Sequence, residues 1–129
     1  MRILIADDHL SLVTLLTTFL EQGGHEVMTA RNGREALECL HQSSPLPGLI
    51  LLDVAMPEVT GWEFLRQQQR ERCLAVLPVI LMTALGRFDD AAMTASVVAC
   101  LEKPLDLDTI AALVDAYAEP NLAARAVGG

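Results

Sequence analysis

At 129 residues the chain is long enough to bury a proper core as one domain, and 52% of its residues are apolar. The net charge is −8, and the densest basic group, Arg66, Arg70 and Arg72, reads as the solvated face of one helix, which argues against a nucleic-acid surface. The three cysteines, Cys39, Cys73 and Cys100, are odd in number and lack CxxC spacing, so a disulfide framework and a zinc site are both unsupported and reduced thiols are expected.

No bilayer span is expected, because the longest apolar run, Leu74 to Leu85, is interrupted by Pro78. Asp7-Asp8 follows the apolar Met1 to Ala6 at once, which a signal peptide would not tolerate. A soluble cytoplasmic protein is the expectation.

Arg2 to Ala6 reads as a short apolar strand ending in Asp7-Asp8-His9. Leu12, Leu15, Leu16, Phe19 and Leu20 then recur at helical spacing, and Gly23-Gly24 stops the helix. Glu26 to Ala30 alternates as a second strand, and Asn32-Gly33 opens a helix through Ala36, Leu37 and Leu40 that ends at Ser43-Ser44-Pro45. Gly48 to Leu52 is a third strand, aliphatic from Leu49 onward, the mark of a strand buried on both faces.

The segment Glu58 to Arg72, with Trp62, Phe64 and Leu65, is predicted helical after Gly61. Pro78 to Thr83 is a fourth strand of the fully buried type, Phe88 to Ser96 a short helix, and Val97 to Leu101 the last strand, ended by Lys103-Pro104. Asp106 or Asp108 caps a final helix carrying Ile110, Leu113, Val114 and Tyr117. Pro120 and Gly128-Gly129 bound a loosely ordered tail. Five strands alternating with five helices across short loops predict a doubly wound parallel α/β sheet without repeat, linker or second domain.

In such a sheet every strand's carboxyl end lies on one rim, where ligands bind. That rim collects Asp7 and Asp8 after the first strand, Asp53 after the third, Thr83 at the fourth and Lys103 after the fifth. Three carboxylates brought together repel one another unless a cation joins them, and hard oxygen ligands with room for water suit Mg2+. Lys103, the only lysine of the chain, offers a compact ammonium to a phosphoryl oxygen, and Thr83 a hydroxyl to another. Singly, Asp8 reads as a helix cap, Thr83 as a strand-end residue and Lys103 as a surface charge; chance accounts poorly for all of them at four of five strand ends. Together they can form an aspartyl phosphate on a Mg2+-held Asp and stabilise the transferring group.

The motifs Asp7-Asp8, Asp53-x-x-Met56-Pro57-x-x-x-Gly61, Thr83-Ala84 and Lys103-Pro104 resemble, in combination and order, the receiver domain of two-component response regulators, of the chemotaxis-type single-domain kind. The resemblance runs from Arg2 to about Ala118, giving a receiver domain over 1–118 and a tail over 119–129. It implies a flavodoxin-like sheet of strand order 2-1-3-4-5 with helices on both faces. It further implies Asp53 as phosphoacceptor and Asp8, Asp53 and the Ala55 backbone carbonyl as Mg2+ ligands, with Asp7 acting through water. Thr83 would swing toward the phosphoryl group and Lys103 would bind it, with a cis bond to Pro104.

The implied donor is a phosphohistidine on a sensor histidine kinase or phosphotransfer protein, and the domain is a regulatory phosphoacceptor rather than an enzyme with its own substrate. Three departures from the family pattern stand out. Cys100 replaces the aromatic residue three positions before the lysine, so the switch set is Thr83, Cys100 and Pro104. Leu85 to Ala99 is about two residues short by that resemblance. Ala55 and Leu85, which tune access of hydrolytic water in the family, are small and apolar.

The chain is either a stand-alone receiver, acting by protein contact with no nucleic acid or membrane partner, or a fragment of a longer regulator. The apolar excess around Ala91 to Cys100 and in the last helix suggests a homodimer or partner face. Three other readings are weighed. A phosphatase resembling the haloacid-dehalogenase group would want an acid where Ala55 stands. A flavodoxin-like cofactor binder would want Gly, Ser and Thr where Asp7-Asp8 stands. A receiver-like interaction module working without phosphorylation is kept open by Cys100. His9 reads as a solvated loop or first-turn residue rather than a metal ligand, and Trp62 as packed near the loop after Asp53.

Overall fold

A computed structural model describes residues 1–84 and 93–118. The elements are β1 (Arg2–Ala6), α1 (Leu10–Gln22), β2 (Glu26–Ala30), α2 (Gly33–Gln42), β3 (Leu49–Asp53), α3 (Gly61–Gln68), α4 (Arg72–Ala75), β4 (Val79–Thr83), β5 (Val97–Glu102) and α5 (Leu107–Ala118). The strands form one parallel sheet in the order β2-β1-β3-β4-β5, as expected.

Alternation along each strand sorts the apolar residues to two faces. Leu4, Ile50, Leu52, Val79 and Leu81 face a core closed by Ala36, Leu40, Phe64, Leu65 and Leu74 of α2, α3 and α4. Ile3, Ile5, Leu49, Leu51, Ile80 and Met82 face a second core closed by Leu16 and Leu20 of α1 and Ile110 and Val114 of α5. β3 and β4 are buried at all five positions, which is why they read as continuous aliphatic runs. β2 and β5 are the edges, and β5 has no fully buried residue.

Most predicted boundaries hold within a residue or two. On α1, Leu16 and Leu20 are buried, whereas Leu15, in the same apolar series, is exposed. Asn32 caps α2, its side chain accepting the Glu35 N–H at 2.8 Å. Asp106 caps α5, accepting the Asp108 N–H at 3.1 Å and the Thr109 hydroxyl at 3.0 Å.

The helix expected through Arg72 stops at Gln68 and resumes as the single turn α4, so Arg66, Arg70 and Arg72 do not share one helix. The cause is Gln68, buried although polar. Its amide donates to the Leu74 and Leu77 carbonyls at 2.9 and 3.1 Å, and its oxygen accepts from Ser96 Oγ at 2.9 Å. Most of the helix expected over Phe88 to Ser96 lies outside the described residues; Met93 to Ser96 is described and is not helical. The tail from 119 to 129 also lies outside them.

Candidate functional site

Four strand ends meet at the carboxyl rim. The ladder between β1 and β2 extends one residue beyond Ala6, with Asp7 N–H donating to the Ala30 carbonyl at 3.0 Å. This turns the Asp7 side chain inward, where it is 1% exposed, and leaves Asp8 exposed. Asp7 Oδ1 accepts the His9 N–H at 2.8 Å, closing a tight turn before α1, while Oδ2 accepts from Lys103 Nζ at 2.9 Å. His9 is therefore an exposed residue preceding the helix, as expected.

Asp53 is the last residue of β3, in register with Met82. Its carboxylate is buried, with Oδ1 accepting the Ala55 N–H at 3.2 Å and Oδ2 lying 3.4 Å from Lys103 Nζ. Asp7, Asp8 and Asp53 each offer an oxygen, all within 4.8 Å of one another. Among the described residues this is the one such group of potential metal-ligating side chains.

Lys103 leaves β5 with its N–H donating to the Thr83 carbonyl at 2.7 Å and is followed by a cis bond to Pro104. The Thr83 side chain is buried, and its hydroxyl donates to the Ala84 carbonyl at 3.2 Å. The sequence-predicted set is thus brought to one rim, with Thr83 joined to Lys103 through the backbone. Cys100 lies farther down β5, opposite Leu81, with Sγ 4.0 Å from Met93 Sδ. It is half-buried and packs against the core on the α2 and α3 side.

The electrostatics are those of an overcrowded acid site. Burial, and then the nearby Asp7 charge, push the Asp53 carboxyl above its ordinary pKa against the opposing pull of the Ala55 amide and Lys103. Burial lowers the Lys103 pKa, but the bond to Asp7 and the charges of Asp7 and Asp53 outweigh it, and the net shift is upward. One ammonium therefore stands among three carboxylates. Such a cluster can hold a hard divalent cation, and Asp53 borders it with one oxygen near that ammonium. Beside it a cleft of about 550 Å³ opens between the first turn of α1 and β2, lined by Asp7, Asp8, Leu10, Val13, Arg31 and Glu35.

Sequence reasoning missed the residues that brace this rim. Gly33 N–H donates to the Val59 carbonyl at 2.8 Å, and Arg34 reaches Glu58 at 3.3 Å. Asn32-Gly33 was legible only as a helix start; nothing local indicates that its partner is the loop after Asp53. Gly61 was legible as a loop mark, and the structure gives the reason: a Cβ there would collide with the Asp53 carbonyl oxygen. Trp62 is half-buried against the α2–α3 core, near that loop as expected.

Fold and rim together define a small doubly wound α/β domain with an acid cluster and a lysine at the carboxyl edge of its sheet. The model of the response regulator receiver domain matches residues 3–115. A CpxR homolog of Haemophilus influenzae, described as a transcriptional regulatory protein, is 38% identical over 81% of this chain and 44% of its own length. The chain thus spans less than half of that regulator. Protein PilH of Pseudomonas aeruginosa is 32% identical over 89% of this chain and 95% of its own. The solved structure of the response regulator TrrA from Thermotoga maritima, in complex with Mg2+-BeF, aligns with a TM-score of 0.77 and 28% identity, covering 90% of this chain and 97% of that one. The chain belongs to the response regulator receiver domain family. Receiver domains are regulatory, and no described helix is long and apolar enough to cross a membrane.

Proposed function

We propose that this receiver accepts a phosphoryl group on Asp53 from a phosphohistidine of a sensor histidine kinase or histidine phosphotransfer protein in the cytoplasm, and that phosphorylation changes its affinity for a protein partner. The observation that carries this is the meeting of Asp7, Asp8 and Asp53 with Lys103 at the rim, with Asp53 on the most deeply buried part of the sheet.

The donor set fits Mg2+: the oxygens are hard, close together and crowded enough to raise the Asp53 pKa, the repulsion a divalent cation relieves. Asp8, Asp53 and the Ala55 backbone carbonyl would hold it, with Asp7, which accepts from the His9 N–H and Lys103, acting through water. When bound, Mg2+ would supply charge neutralisation to the phosphoryl oxygens.

The protein's own groups perform the rest. An Asp53 oxygen attacks phosphorus, the new P–O bond forms as the P–N bond breaks, and its electrons return to the imidazole. That ring leaves neutral when its other nitrogen carries a proton. The Ala55 N–H orients the attacking carboxylate. Lys103 Nζ, already 3.4 Å from Asp53, transfers its contact to a phosphoryl oxygen, and the Thr83 hydroxyl turns from Ala84 to another. Cys100 and Pro104, on either side of Lys103, carry the change along β5 into the partner face. A small side chain at position 100 makes that relay one of packing against Met93 rather than of an aromatic ring.

Intact mass after incubation with Mg2+ and acetyl phosphate tests the proposal. The expected result is a gain of one phosphoryl group, lost in Asp53→Asn and in excess chelator. No gain, even with a phosphorylated histidine kinase as donor, would favour an interaction module that works without phosphorylation.

A further inference from the structure

The loop from Val54 to Thr60 connects Asp53 to α3 and carries Ala55 at its exposed crest. Its inner margin is fixed by the core: Val54 and Met56 are buried, and Gly61 N–H donates to the Val54 carbonyl at 3.1 Å. Its outer margin rests on α2. Gly33 is buried against it, and a Cβ at position 33 would stand 2.6 Å from Val59 Cγ1 and 2.8 Å from the Val59 carbonyl oxygen, closer than packed atoms allow. Arg34 Nε and Nη2 each reach Glu58 Oε2 at 3.3 Å, while Nη1 binds Glu38 at 3.0 Å. Glu58 has φ 62, a left-handed conformation that a residue with a side chain holds only when its surroundings impose it.

We propose that the first turn of α2 clamps the loop following Asp53, and that Gly33 and Arg34 are positioning residues for divalent-cation binding there. The inference rests on the proposed phosphoacceptor function. Val54 and Met56 hold Ala55 from either side, and the outer margin fixes the course of the chain leaving Met56 through Glu58 and Val59, and with it the Ala55 peptide whose N–H orients Asp53. The Arg34–Glu58 pair is more than half exposed on both sides, and exposed pairs contribute little to folding. Its role is therefore in where the loop sits, not in whether the chain folds. Gly33 allows the close approach that brings Arg34 within reach of Glu58.

The test is calorimetric Mg2+ titration of the full chain, with phosphorylation rate measured against Mg2+ concentration and Tm recorded for every variant. Arg34→Ala should weaken Mg2+ binding about two- to fivefold at unchanged Tm, and Gly33→Ala about tenfold. Both should approach the wild-type rate at saturating Mg2+. Loss of a positive charge alone favours cation binding, so Arg31→Ala serves as the charge control. Val59→Ala in the Gly33→Ala background should restore part of the affinity by removing the Cγ1 collision.

Leu40→Ala, a core change on the same helix, should lower Tm and leave Mg2+ affinity unchanged. If wild type binds Mg2+ and is phosphorylated while Arg34→Ala matches Arg31→Ala, the clamp is wrong and the phosphoacceptor function stands; Arg34→Ala decides this even if Gly33→Ala does not fold. If wild type takes up neither Mg2+ nor phosphoryl, the functional proposal fails and the clamp with it.

Discussion

The two strands that carry the rim's decisive side chains are built in opposite ways. β3 delivers Asp53 from a strand buried at every position between β1 and β4, whereas β5 delivers Lys103 from an edge strand with no fully buried residue. Asp53 is therefore fixed by the core, and the counter-cation is attached to a less buried edge of the sheet. Such a division would suit the proposed phosphoryl switch, in which the Asp53 oxygen keeps a constant position while Lys103 changes partners. The same contrast appears in the hydrogen bonds. Asp7 and Asp53 are oriented by local backbone amides of His9 and Ala55, but Lys103 reaches across the rim to both.

The largest effect expected from this contrast is at the centre of β3. Leu51→Ala, in a site with no exposed surface, should cost about 2–5 kcal/mol of unfolding free energy in urea. Next comes the anchor below β5. Gln68→Leu leaves the Leu74 and Leu77 carbonyls and the Ser96 hydroxyl without their buried partner and should cost about 1–3 kcal/mol. Amide exchange should quicken first at Val97 and Val79, on either side of the Ser96 turn. Equal loss of protection across β1 would show that the anchor serves the whole fold rather than the β5 side.

The acid cluster gives a prediction of sign. Because burial and Asp7 raise the Asp53 pKa, its ionised form opposes folding. That opposition is absent below the ordinary carboxylate pKa, grows as pH rises through the interval up to the raised folded value, and is complete above it. Asp53→Asn should therefore raise Tm at neutral pH without divalent cation, and the difference from wild type should shrink on acidification through that interval. Mg2+ should stabilise wild type and lose that effect in the variant. A variant less stable than wild type at neutral pH would mean that the bond to Lys103 outweighs the repulsion. The smallest effect belongs to the edge: Val98→Ser, at a residue 40% exposed, should change stability by less than about 0.5 kcal/mol.

The two regions also differ in how far they can be read without coordinates. Leu49 to Asp53 and Val79 to Thr83 advertise themselves, because burial on both faces demands an unbroken aliphatic run, and the rule that strands end on one rim then collects Asp7, Asp53, Thr83 and Lys103. Which of Asp7 and Asp8 turns inward was not legible, because it depends on one extra backbone bond to Ala30. The break after Gln68 was hidden for a related reason. Gln67-Gln68-Gln69-Arg70-Glu71 has good helix propensity, but no apolar residue holds it to the core before Leu74, and Gln68 turns inward to satisfy two carbonyls instead. Tertiary hydrogen bonding overrode local preference. The clamp of α2 on the loop after Asp53 was illegible for the same cause: its partners stand 24 to 26 positions apart in the chain.

The most direct measurement of the central claim is the location of the phosphoryl group. After phosphorylation with Mg2+ and acetyl phosphate, borohydride reduction converts an aspartyl phosphate to homoserine at the residue that carried it, and peptide mass spectrometry reads the position. Homoserine at position 53 alone is the expected result. Homoserine at Asp7 or Asp8, or at no position after a confirmed gain in intact mass, would contradict the assignment of Asp53 as the acceptor.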